Sequence, residues 1–260
     1  MTGRALATFA CEPMDAPEMP VAMRPFGCSA DLDLEFASGD RPALVTALLA
    51  QCTGADAQHW WARTVGERVA ALLHLYGLNE RLDRVELGAR CLGVDCGESF
   101  AFELPLTELA ALAPTDDSWS LALPDGRTLR LRRPTGSDLK RWRAQGPATR
   151  GAALQAILQD LAPGQPLAAE DETALAEALA ESDPLVDLRV AARCPACGHG
   201  QEVAVDLEGL VLTRFAARQR ELLLEVHRLA RHYGWTEDQV LAVPPRRRAE
   251  YQALIEGVAS

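Results

Sequence analysis

Two cysteine knuckles in widely separated segments constrain the fold of this chain more than any other feature. The stretch "ARCPACGHGQEVAVDLEGL", Ala192 to Leu210, and the stretch "LGARCLGVDCGESFAFELPLTEL", Leu87 to Leu109, align on Cys197 and Cys96. Both read Ala-Arg-Cys, then a second Cys followed by Gly, an alternating strand, an acidic residue and a Leu. Leu104 pairs with Val205, Leu106 with Leu207 and Leu109 with Leu210. Helical sequence precedes each copy, so the chain contains a duplicated unit of helices, strand, knuckle and strand.

Each knuckle offers two thiolates on a tight, Gly-containing turn, which is half of the tetrahedral set that zinc prefers. Cys91 and Cys96 with Cys194 and Cys197 complete a four-cysteine site and join the two repeats. Closing so long a loop costs little more than closing a short one, because the entropy grows with the logarithm of its length. The C-x2-C at 194–197 is the stronger signal. The C-x4-C at 91–96 is wider, and Asp95 or His199 is the substitute ligand if the geometry of this knuckle is poor. Four thiolates leave no open position for water, so the expected cofactor is a structural Zn2+ and no catalytic residue is assigned. A metal-free relic of such a site and a redox pair are the competing readings.

Local patterns place the elements around the knuckles. Residues 42–52 and the segment from Asp56 to a cap at Gly77 read as helices, the second unbroken. Trp119, Leu121 and Leu123, the Asp125-Gly126 turn, then Leu129 and Leu131 spell a β-hairpin. Thr135 or Ser137 caps a helix through Leu139 and Trp142, and further helices are expected at 148–161 and 170–182. Leu212, Phe215, Leu222, Val226 and Leu229 stripe one long helix that ends at Gly234. Thr236 and Gln239 form a capping box, and Pro245 starts a last helix.

The expected fold class is α+β: a duplicated helix–strand–knuckle–strand unit forming a zinc-ribbon-like core, with a β-hairpin insert and a C-terminal helical hairpin. The expected divisions are an extended Pro-rich arm at 1–40, a first repeat at 41–112, the hairpin and connecting helix at 113–147, a second repeat at 148–212 and a helical arm at 213–260. The 260 residues suffice for a sizeable core, with 48% of them apolar.

The net charge of −11 argues against a surface that grips nucleic acid or anionic lipid throughout. Lys140 is the only lysine, so the arginine content reflects composition before function. No segment has the apolar length of a signal peptide or a membrane span, and the seven cysteines suit thiols or metal ligands in a reducing cytoplasm. Phosphate loops, G-x-S-x-G and H-E-x-x-H are missing, and no small-molecule substrate is expected.

The tail "EVHRLARHYGWTEDQVLAVPPRRRAEYQALI" is similar to the ending of small baseplate-associated proteins of contractile-tail phages and related injection systems. His227, Leu229, Ala230, Tyr233, Trp235, Val240, Leu241, Arg246, Arg247, Arg248, Tyr251 and Leu254 carry that resemblance. Two knuckles flanking "LRRPTGSDL" at 131–139 resemble the longer baseplate proteins of the T-even type, so the likeness covers residues 40–256. It implies a non-enzymatic baseplate hub assembly chaperone or minor component whose partners are hub or other tail proteins. The tail hairpin would bind that partner through His227, Tyr233, Trp235, Arg246, Arg247, Arg248 and Tyr251. A zinc-ribbon regulator of nucleic acid is the alternative, and the acidic strands beside both knuckles weigh against it.

Overall fold

The computed structural model describes residues 4–6, 22–116, 118–123, 125–146, 149–165 and 171–257. The Pro-rich arm expected at 1–40 falls partly outside these residues, and the described part from 22 onward is packed. Phe26 lies 5.3 Å from Phe215, ring to ring, and Leu34 is buried. Arg24 forks onto the buried Asp31 at 2.7 Å, and the Gly27 and Cys28 N–H groups donate to the same carboxylate. Proline spacing reported extended backbone there but not the aromatic anchor that holds it down.

After the short strand β1 (Arg4–Leu6), the helices α1 (Arg41–Thr53), α2 (Ala57–Ala62) and α3 (Val65–Glu80) build the first layer. The continuous helix expected from Asp56 to Gly77 is divided. Thr64 is extended and closes a capping box with Glu67, starting α3 afresh, and the cap falls on Arg81 in the left-handed region at φ 56°. Arg68 then ties three helices together. It is 1% exposed and donates to Pro42 O at 2.7 Å and Trp60 O at 3.0 Å.

Strands β2 (Arg84–Arg90) and β3 (Ser99–Pro105) pair antiparallel, with Leu87 opposite Phe102 and Ala89 opposite Phe100; β1 adds parallel to β3. The helix α4 (Leu106–Ala111) follows, then β4 (Ser118–Ala122) and β5 (Thr128–Arg132), a hairpin with Trp119 opposite Leu131 and Leu121 opposite Leu129. Thr135, rather than Ser137, caps α5 (Gly136–Gln145). Its N3 residue Asp138 is 2% exposed and accepts from Arg132 Nη2 at 2.8 Å, Arg141 Nη2 at 2.7 Å and the Thr135 N–H at 2.8 Å.

Burial by itself would raise the Asp138 carboxyl, but those hydrogen bonds outweigh it and hold the group well below the usual carboxylate range. A depressed folded-state value means that the group stabilises the fold above the ordinary carboxylate pKa near ~4, and that this contribution is lost as pH falls through its folded value. Acid unfolding followed by circular dichroism should therefore show a shallower acid limb for Asp138→Asn than for the native chain. An unchanged limb would remove Asp138 from the acid response.

The helices α6 (Arg150–Leu161) and α7 (Asp171–Ser182) precede β6 (Leu188–Arg193), β7 (Gly200–Val205) and the long α8 (Leu207–Tyr233). The division of the second repeat at 148–212 needs correction here. Leu158, Leu161 and Leu175 cover the hairpin, packing on Leu123, Leu129 and Leu131 in a core of their own. The β6–β7 pair instead joins the first repeat: Leu188, Val190, Val205, Leu207 and Phe215 share one core with Leu72, Phe102 and Leu104. A two-stranded hairpin cannot shield its apolar face, and the nearest amphipathic helices in sequence take that place.

Past Leu222, α8 leaves the main core and packs with α9 (Glu237–Ala242) and α10 (Pro245–Ile255) around Val226, Leu229 and Val240. The helical arm expected from 213 thus becomes separate only in the second half of α8. The architecture is α+β with small antiparallel hairpins. Among the described residues no helix is long and apolar enough to cross a membrane.

Candidate metal centre

The knuckles sit at corresponding ends of the two hairpins. At the first, the Cys91 N–H donates to Glu98 O at 2.8 Å, and Arg90 Nε reaches Gly97 O at 2.9 Å. At the second, the Cys194 N–H donates to His199 O at 2.9 Å, and Arg193 Nη1 reaches Gly198 O at 2.9 Å. Gly97 and Gly198 stand at φ 63° and 75°, a left-handed turn that the Cβ of other residues resists. The shared Ala-Arg-Cys motif and the following glycine are therefore one repeated local structure: the arginine braces the turn that aims the sulfurs.

These turns bring all four sulfurs together. Cys91 Sγ lies 3.6 Å from Cys197 Sγ, Cys96 Sγ lies 3.8 Å from Cys194 Sγ, and every pair falls within 4.8 Å. Tetrahedral thiolates about 2.3 Å from a shared metal stand about 3.8 Å apart, so the set has the dimensions of a metal site. Cys91 and Cys194 are buried, Cys96 is half-buried and Cys197 is exposed. The wider first knuckle meets its partner without help from Asp95 or His199. His199 serves another purpose, packing its side chain over Gly93, where an added Cβ would come within 3.4 Å of it.

Electrostatics divides the thiols. The N–H groups of Cys197 and Ala196 favour the Cys194 thiolate and bring this thiol down to about 7. The Gly93 N–H favours the Cys91 thiolate, but desolvation and hydrogen bonding to the other three sulfurs outweigh it and push the group up to about 12. At Cys96 the Glu98 N–H, joined by Cys91, favours the thiolate, but desolvation and hydrogen bonding to Cys197 and Cys194 outweigh them and the thiol is raised. One thiolate is thus stabilised by its neighbours while further thiolates at this spacing repel it, and a divalent cation removes that conflict.

One contact bridges the repeats that no sequence signal announced. Gln201, on β7, donates from Nε2 to Arg90 O and accepts the Leu92 N–H at Oε1, both at 2.8 Å. Its counterpart in the aligned repeat is Phe100, so the duplication itself could not reveal it.

The residues expected to bind a partner divide into two groups. Arg248 is a correction. It is 4% exposed and donates to Glu225 Oε2 at 2.8 Å and Val243 O at 2.9 Å, locking α10 onto α8. Tyr233 stacks on Trp235 at 4.8 Å, and Tyr251 meets both rings edge-on at 5.5 and 5.2 Å, so these three half-buried aromatics hold the arm together from within. His227, Arg246 and Arg247 are exposed. In comparison with known proteins, the chain matches no family model, no curated protein and no solved structure.

Proposed function

We propose that this chain is a non-enzymatic, zinc-stapled assembly factor or minor structural component of the baseplate hub of a contractile tail or contractile injection system, acting in the bacterial cytoplasm or within the particle. The observation that carries the reading is the convergence of Cys91, Cys96, Cys194 and Cys197 from two repeats within 4.8 Å of one another. Four sulfur donors in a closed tetrahedral set favour zinc and leave no position for a reacting ligand, so the metal holds structure. Support for the baseplate part comes from the tail, whose sequence likeness falls on residues that form a preorganised helical hairpin.

Metal analysis of the purified chain tests the zinc, with about one zinc per chain expected. Mass spectrometry of particles, with affinity capture from the producing cells, tests the placement. Hub proteins in the capture with no chain in the particle would identify a chaperone, and stoichiometric presence would identify a component. No tail protein in either sample would overturn the baseplate reading.

A further inference from the structure

The second half of α8 has two faces. Leu222, Val226 and Leu229 turn inward. At about 100° per residue, Arg220, Leu223, Leu224, His227 and Arg231 share the opposite face within an arc of about 100°. All five are exposed, Leu223 at 44% and Leu224 at 56%. The nearest carboxylates on the helix lie on its flank and are held: Glu221 and Glu225 pair with Arg218 at 3.1 and 3.3 Å, and Glu225 also with Arg248. Arg220 and Arg231 have no ion-pair partner among the described residues. Residues 207–260 hold eight arginines against seven carboxylates, so the whole of the chain's −11 lies before them.

We propose that this outer face of α8 docks an acidic amphipathic helix of a partner protein. The proposal rests on the reading of the chain as an assembly factor and supplies its contact surface. Spacing selects the shape: Arg220, Leu223, Leu224, His227 and Arg231 stand at i, i+3, i+4, i+7 and i+11, the footprint of a helix laid along a helix. Charge selects the sign, since two unpaired guanidiniums bracket the leucines and need carboxylates opposite them. A second copy fits poorly, because pairing the stripe with itself sets arginine against arginine, and two bodies of −11 repel. The Tyr233, Trp235 and Tyr251 cluster and the Arg248 lock hold the helix rigid, which lowers the entropy lost on docking.

The test titrates the full-length chain by fluorescence anisotropy against two synthetic helices of about 20 residues with the same leucine spacing. One carries Glu beside the leucines and the other Lys. The Glu helix should bind at least ~10-fold tighter than the Lys helix, and Arg220→Glu with Arg231→Glu should abolish that preference. Leu223→Ser with Leu224→Ser should weaken binding, while melting and metal content stay unchanged in both variants. No binding of the Glu helix, equal binding of the two helices, or indifference to the arginine reversals would overturn the proposal. So would duplex DNA binding through the same arginines at physiological salt, or a dimer that the reversals dissolve. A chain that binds the Glu helix but captures no tail protein keeps the docking face and loses the baseplate reading. The converse result loses only the face.

Discussion

Cys194→Ser is expected to lose the bound metal and lower the melting midpoint by roughly 10–20 °C. Cys194 is fully buried and belongs to the main core, as do Leu188, Val190 and Ala192 of its own hairpin. With the metal in place, four thiolates fasten the β6–β7 hairpin to the β2–β3 hairpin, and the coordination free energy becomes folding free energy. Removing one ligand opens the tetrahedron and leaves three crowded thiols that cannot all ionise. The second hairpin is then held by its apolar contacts, by Gln201 and by the Arg41–Asp206 ion pair at the end of β7. Cys91→Ser should behave alike, and chelation of the native chain should reproduce both. Cys28→Ser is the control, because Cys28 is exposed and outside the cluster. Differential scanning calorimetry with metal analysis reads the result. An unchanged midpoint with full metal content in Cys194→Ser would sink the four-cysteine site, and equal losses in Cys28→Ser would place the metal elsewhere.

Arg68→Ala is expected to cost about 3–5 kcal/mol of unfolding free energy. The guanidinium is buried with no carboxylate in direct ion-pair contact among the described residues, and the nearby Glu208 supports its charge. It stays charged by donating to Pro42 O and Trp60 O and by lying 5.2 Å over the Trp61 ring, while burial pulls its pKa down to about 10. Truncation leaves a large cavity at the junction of α1, α2 and α3 and takes the guanidinium donor from Trp60 O and from Pro42 O, which keeps only the Thr46 hydroxyl as a side-chain donor among the described residues. Gly136 belongs to the same arrangement, because a Cβ there would fall 1.9 Å from Arg68 Nη1 and 3.2 Å from Trp60 O. Arg68→Met, which refills the volume without restoring the hydrogen bonds, should recover part of the loss. Urea unfolding measures all three chains. A cost below ~1 kcal/mol for Arg68→Ala would mean that the junction is held by its leucines, and full recovery by Met would mean that only volume matters.

Much of the molecule was legible in its sequence because the signals were local. Thr135 and Thr236 cap their helices through boxes four residues long, and Asp125-Gly126 turns the hairpin with Gly126 at φ 88°. Alternation set the faces of β3, burying Phe100, Phe102 and Leu104. The knuckle repeat picked out the four cysteines that the structure brings together, because motif spacing fixes the turn and the turn fixes where the sulfurs point.

The failures of sequence reading share one cause. Thr64 and Glu67 carry a capping box inside a pattern that reads as continuous helix, and the apolar period masked the break. Arg248 stands in a run of three arginines with the same local environment in sequence, yet it alone turns inward, because Glu225 of α8 offers a carboxylate and the last turn of α9 and the loop after it offer a carbonyl each. Pairings between distant elements, such as Gln201 with the Arg90 backbone or α6 and α7 with the β4–β5 hairpin, are chosen by which surfaces the folded chain brings within reach. Caps, turns, strand faces and the identity of the four clustered cysteines were determined by the sequence itself, since each depends on neighbours a few residues away. Which arginine is buried, which helices cover which sheet and which face of α8 remains open were decided only by the tertiary structure, where burial makes an unpaired polar group or an uncovered apolar face costly and selects its partner from anywhere along the chain.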